Sequence, residues 1–193
     1  MSRRPVLSSL VIVGVVAIGV FVAAPAGAIT VGPLPPIGIL QRTTTTNVPI
    51  TCSFGNGSTN GGPPPVEHNV VRVTVTAPAI AFSLVPYTAS FRVVLLDSTA
   101  PGSVSGFSLT SAFRMPGANP TNLSLTTAPQ NIAPGAQPTF PTFSRQLTPA
   151  LGTSTVTYRF RDVDYVFNLF GTIQASCTLD DGPVVMGSTT VPV

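Results

Sequence analysis

Apolar residues recur at every second position along most of this chain, the period of β-strands that turn one face to a core. Val48, Ile50, Cys52 and Phe54 alternate with Pro49, Thr51 and Ser53, and Ile173, Ala175, Cys177 and Leu179 alternate with Gln174, Ser176 and Thr178. The same pattern predicts a strand over 69–77, with Val71, Val73, Val75 and Ala77 inward. It predicts another over 88–97, with Phe91, Val93 and Leu95 on one face and Arg92, Val94 and Leu96 on the other. Being apolar on both faces at its end, this strand is expected to be central. Alternation returns over 106–115 (Phe107, Leu109, Phe113, Met115), 121–127 (Leu123, Leu125) and 154–161 (Val156, Tyr158, Phe160). Runs at 163–169 and 184–193 complete the set, with Gly171 expected at a bulge or bend. No stretch carries a helical apolar period.

Glycine and proline separate these runs. Gly55 to Pro65 reads as a loop, and its spacing approaches a phosphate-binding glycine motif. That motif needs a strand before it and a helix after it, and here three prolines follow, so the phosphate reading fails. Pro101-Gly102 and Asp180-Asp181-Gly182-Pro183 are turn signals. The proline-rich stretch 128–152 reads as a connection or a set of edge pieces, under which Phe140 and Phe143 can tuck. Short strands with regular turns define an all-β chain, expected to be an immunoglobulin-like Greek-key β-sandwich of about seven to nine strands. The sequence has no tryptophan, so the Cys-Trp-Cys core of antibody domains is missing.

The two cysteines, Cys52 and Cys177, are each in phase with the apolar side of a strand. They are read as a disulfide pinning the first strand to one of the last. Closing so long a loop is worth roughly 4–5 kcal/mol in the chain-entropy model. The competing reading is two buried thiols acting as small apolar side chains. A zinc site is no serious rival to the disulfide, because two cysteines and one histidine leave tetrahedral zinc short of a protein ligand.

Residues 1–28 have the form of an export signal: Arg3 and Arg4, an apolar run from Val6 to Ala24, and Ala26-Gly27-Ala28 as a cleavage site. The run is also long enough for a retained anchor, but Pro25 and the small residues favour removal, leaving a chain that starts at Ile29. Ser2-Arg3-Arg4-Pro5 resembles a twin-arginine signal. The need for a disulfide outside the cytosol favours the general secretory route. Residues 29–46, with Gly32-Pro33-Leu34-Pro35-Pro36 and four threonines, read as an extended lead-in to a domain over 47–193.

All nine basic residues are arginine, and two belong to the signal, so the remainder is close to neutral against six carboxylates. No basic cluster for nucleic acid or lipid headgroups stands out in sequence. Polarity comes mainly from Ser, Thr, Asn and Gln.

The succession V-P-I-T-C-S-F, a V-x-V-x-V strand, and a late I-x-A-x-C-x-L resembles secreted immunoglobulin-like β-sandwich domains of unknown function from actinobacteria. The lysine-free composition is similar to that of proteins from such GC-rich genomes. The resemblance implies an exported sandwich and carries no catalytic residues with it.

Candidates for chemistry are few. His68 is the only histidine and could join a serine and Asp97 in a triad. No nucleophile elbow supports this, since Gly102-Ser103-Val104-Ser105-Gly106 places valine at the nucleophile position. Asp162 and Asp164 share a strand face, and with Asp180 and Asp181 they are the candidates for a weak calcium site, against the plainer reading of turn and surface carboxylates. Arg72, Arg92, Arg159 and Arg161 could align into a stripe for an anionic polymer. Asn56-Gly57-Ser58 and Asn122-Leu123-Ser124 match a glycosylation pattern; with the bacterial origin that the resemblance implies, both are read as chance.

The expectation is a secreted, non-enzymatic module without a cofactor, located in the cell wall or outside the cell. Its partner would be a wall polymer or another envelope protein, met through sheet faces or the loops at 55–66 and 128–152. Nucleic acid is not expected as a partner, and membrane contact is expected only through the signal before cleavage. The alternatives are a subunit that self-assembles through strand edges and a calcium-dependent carbohydrate-binding domain.

Overall fold

The computed structural model describes residues 40–55, 66–96, 99–100, 102–169, 171–192. These lie in one compact unit, Pro36–Val193. The export signal, most of the lead-in and the interior of the 55–66 loop are outside the described residues.

Eleven strands are described, and no helix. They are β1 (Gln41–Gly55), β2 (Val66–Pro78), β3 (Tyr87–Leu95), β4 (Val104–Arg114), β5 (Ala118–Asn119), β6 (Asn122–Thr126), β7 (Gln130–Ile132), β8 (Phe143–Pro149), β9 (Thr155–Asn168), β10 (Thr172–Leu179) and β11 (Val184–Thr190). The count exceeds seven to nine because β5 and β7 are only two and three residues long.

The strands form a single antiparallel sheet in the order β5-β8-β3-β2-β1-β10-β9-β4-β6, with β11 on β9 and β7 on β4. This sheet folds over so that its halves face each other. Phe91 of β3 packs on Phe113 of β4 and Tyr158 of β9, with ring centroids 4.9 and 6.2 Å apart. The result is a β-sandwich whose layers meet at β1 and β10. At the far ends, β5 lies within the β4–β6 turn and bonds to β8 through Ala118↔Pro149, which nearly closes the sheet.

The alternating residues are where period two requires. Val71, Val73, Val75 and Ala77 of β2 are buried, as are Phe91, Val93 and Leu95 of β3. As expected, β3 is interior, between β2 and β8.

Three boundaries differ from the sequence reading. Thr43 to Thr46 are strand rather than lead-in, because β1 starts at Gln41 and pairs with β2 from Gln41↔Pro78 onward. Outward Thr43 and Thr45 hydrogen-bond Thr76 and Thr74 at 2.9 and 3.0 Å, a cross-strand match that a polar tract conceals. Within the proline-rich stretch, β8 is a full strand on β3 with Leu147 wholly buried.

The runs 154–161 and 163–169 are one strand, β9, interrupted by a bulge. Ala112 pairs with Asp162 and Phe113 with Phe160, leaving Arg161 as the extra residue. The inward phase accordingly moves from Val156, Tyr158 and Phe160 to Val163 and Tyr165. At the same point β9 changes partner, pairing with β11 up to Phe160 and with β10 from Asp162.

The disulfide is formed, Cys52 to Cys177. In antibody domains the bond crosses between sheets. Here the two residues are register partners on adjacent strands, β1 and β10. Strand adjacency, and not a crossing of the sandwich, brings these distant cysteines together.

Candidate functional site

Inward-facing positions of β2 run Ala77, Val75, Val73, Val71 and then change to Asn69 and Glu67. That change falls where the core opens into a cavity of about 470 Å³ at one end of the sandwich. Strand ends supply its walls: Phe54 from β1, Leu95 from β3, Val104 and Phe107 from β4, Tyr165 and Phe167 from β9, and Ile173 from β10. Ile132 and Pro138 close another side. The residues flanking the 55–66 loop and part of the 128–152 stretch therefore converge on one site.

The walls hold their shape through ring packing. Tyr165 lies 6.0 Å from Phe107, 6.1 Å from Phe54 and 6.1 Å from Phe167 between centroids, and Phe107 meets Phe140 edge-on at 6.3 Å. Glu67 is exposed at the rim, opposite Cys52 in register. Burial, and then the Glu67 charge, push the Tyr165 phenol above its ordinary pKa, so it stays protonated at neutral pH. The site offers apolar and aromatic surface with one carboxylate and an Asn amide at its edge. A ligand with an apolar body and a donor or cationic end would match it.

Glu67 as a cavity residue escaped the sequence reading. Its in-phase position with the β2 valines is the signal the sequence carries for it, beside the chemically more conspicuous His68.

His68 faces the other way, on the outer sheet surface. Its Nδ1 lies 2.9 Å from the Thr51 hydroxyl, which donates to Asp180 Oδ1 at 2.6 Å. With its single proton on the carboxylate, Thr51 must accept from the imidazole N–H. The hydroxyl sits between histidine and acid, the wrong order for a triad that activates a hydroxyl. Asp97 lies outside the described residues.

Asp162 and Asp164 do share the outer face of β9. Burial and the Asp164 charge raise the Asp162 pKa, opposed by Arg161. Asp164 accepts from Ser176 Oγ at 2.9 Å and the Cys177 amide at 3.3 Å. Asp180 is engaged by Thr51, and Asp181 is exposed in the β10–β11 turn. Among the described residues no three His, Cys, Asp or Glu side chains are grouped to hold a metal, so the four candidates do not assemble into one calcium site.

The four arginines do not form one stripe either. Arg72 donates to Asn47 Oδ1 and Arg92 to the Phe140 carbonyl, on the outer face of β2 and β3. Arg159 stands opposite Arg114 on β9 and β4, and Arg161 is in the bulge.

The chain is thus a disulfide-stapled, all-β sandwich with an apolar end cavity. No protein-family model and no curated protein sequence matches it. Its fold is similar to that of a putative membrane-anchored protein from the actinobacterium Corynebacterium diphtheriae, with a TM-score of 0.52 and 11% identity. The match covers 78% of this chain and 38% of that one, so this chain spans well under half of the neighbour's length. At that identity the likeness concerns the fold alone.

Proposed function

We propose that this chain is exported and works as a non-enzymatic binding module in the cell envelope or outside the cell. Its end cavity receives an apolar group presented by an envelope molecule or protein. The observation that carries this reading is the cavity itself: aromatic and aliphatic walls with a carboxylate confined to the rim. A purely anionic polymer fits such a site poorly, because Glu67 repels it and the lining is mostly apolar and holds no cationic side chain. The disulfide, and a neighbour whose description is membrane-anchored, support an extracytoplasmic location.

The test is titration with a neutral naphthylamine fluorophore that brightens in apolar surroundings. Saturable binding is expected, weakened by about tenfold or more in Ile173→Trp and Leu169→Trp, which fill the mouth from half-buried positions. Absence of saturable binding, or equal binding by both variants at unchanged melting temperature, overturns the reading. Location is checked by fractionating the host. A chain starting at Ile29 in the wall or medium supports export with cleavage, and an uncleaved membrane-bound chain contradicts cleavage.

A further inference from the structure

The end of the sandwich remote from the cavity carries an apolar cap. The loop 79–86 between β2 and β3 is held firmly on its inner side. Ala81 is buried and its amide donates to the Thr190 carbonyl at 2.9 Å, while the Leu84 amide donates to the Pro149 carbonyl at 3.1 Å. Its outward side chains are nevertheless Ile80, Phe82, Leu84 and Val85, all half exposed or more. Two further leucines adjoin them. The Ala79 amide donates to the Leu40 carbonyl at 2.8 Å, and Leu151 follows the strand end that Leu84 engages. Leu40 and Leu151 are 77% and 78% exposed, an unfavourable display for a loop that faces only water.

Backbone geometry adds to this. Leu84 has φ 62°, in the left-handed region that glycine or asparagine adopts more readily. A bulky apolar residue is held there with its side chain in solvent. Strain of this kind clusters at functional positions such as active sites, ligand clamps and switch regions.

Charge is distributed to match. Exposed Arg42, Arg114 and Arg159 lie towards the ends of β1, β4 and β9 that reach this cap. The described carboxylates are elsewhere: Glu67 at the cavity, Asp162 and Asp164 beyond the β9 bulge, and Asp180 and Asp181 in the β10–β11 turn.

We propose that Leu40, Ile80, Phe82, Leu84, Val85 and Leu151 form a bilayer-contact surface. The apolar side chains enter the boundary between headgroups and acyl chains, and the three arginines meet lipid phosphates. This depends on the export reading and not on the cavity, so a failed fluorophore titration leaves it standing.

The test is vesicle flotation of the chain Ile29–Val193, which contains all the described strands and the buried core they form and lacks the apolar run Val6–Ala24. The vesicles are phosphatidylcholine with and without phosphatidylglycerol. The chain is expected to float with the vesicles, more so with phosphatidylglycerol. Phe82→Ser with Leu84→Ser is expected to lower partitioning by about a hundredfold, given the transfer cost of two large side chains. Both residues are exposed, so the melting temperature should hold. A parent chain that stays in the aqueous fraction, or a double variant that floats equally well, overturns the proposal. So does a concentration-dependent dimer lost in the double variant, since a second copy would then cover the cap. Flotation only after residues 29–39 are removed overturns it too, because the lead-in would be the occupant.

Discussion

Cys52 and Cys177 stand directly opposite each other on β1 and β10, at the line where the sheet passes from one layer of the sandwich to the other. The bond joins residues 125 apart in sequence, so it constrains nearly the whole domain in the unfolded state. Cys52→Ala with Cys177→Ala is predicted to lower stability by about 4–5 kcal/mol, read from urea unfolding. An unchanged urea midpoint would contradict a stapling role. Since both residues are buried, reductant without denaturant should leave the bond intact.

A second link runs through the core above the seam. Thr189 donates to the Pro78 carbonyl at 2.7 Å, so its oxygen must accept from Tyr158, which in turn accepts from Tyr87, each step 2.7 Å long. The chain of bonds has one direction, and its members are not equivalent. Tyr87→Phe removes the first donor and leaves no donor stranded, at a predicted cost of about 1 kcal/mol. Thr189→Val strips a buried carbonyl of its donor and Tyr158 of its acceptor, at a predicted cost of about 1–3 kcal/mol for each group left unsatisfied. Equal losses in the two variants would refute the assigned direction.

The same burial makes stability pH-dependent on the alkaline side. Desolvation raises the pKa values of Tyr87, Tyr158 and Tyr165 in the folded chain. The unfolded chain therefore gives up these protons first. Stability is complete below the ordinary tyrosine pKa of about 10 and falls as pH rises beyond it. Urea midpoints measured across that range should decline, and Tyr165→Phe should flatten the decline. A flat wild-type profile would show that these phenols ionise as easily folded as unfolded.

Arg161 is the residue that keeps β9 in step with both its partners. Deleting it forces one phase on the strand and turns Val163 and Tyr165 outward, so no folded product is predicted. Arg161→Ala keeps the extra residue and should change stability by only about 0.5 kcal/mol. Circular dichroism and amide exchange distinguish the two, and a deletion variant as stable as the parent would remove the bulge from this account.

Much of the fold was legible because β-strand burial is a local property with period two. Val71, Val73 and Val75 or Val156, Tyr158 and Phe160 announce which way they face without reference to any partner. The bulge was legible in the same way, as a slip of phase between Phe160 and Val163, although it reads equally well as two strands. Thr43 to Thr46 and β8 were obscured. A hydroxyl ladder leaves no apolar alternation, and prolines around Leu147 mimic a loop.

Pairing is a different matter, because it depends on which distant strands close on each other, and no local pattern encodes that. Period two and the presence of just two cysteines paired Cys52 with Cys177; that they are register partners on adjacent strands was decided by the folded sheet. Glu67 reads as a surface carboxylate beside a histidine until five strand ends are drawn around it. Leu40, Phe82, Leu84 and Leu151 become one apolar cap only when two loops and a strand end meet. Direction of side chains follows from steric alternation along a single strand, whereas cavities, caps and seams arise from contacts between residues far apart in the chain.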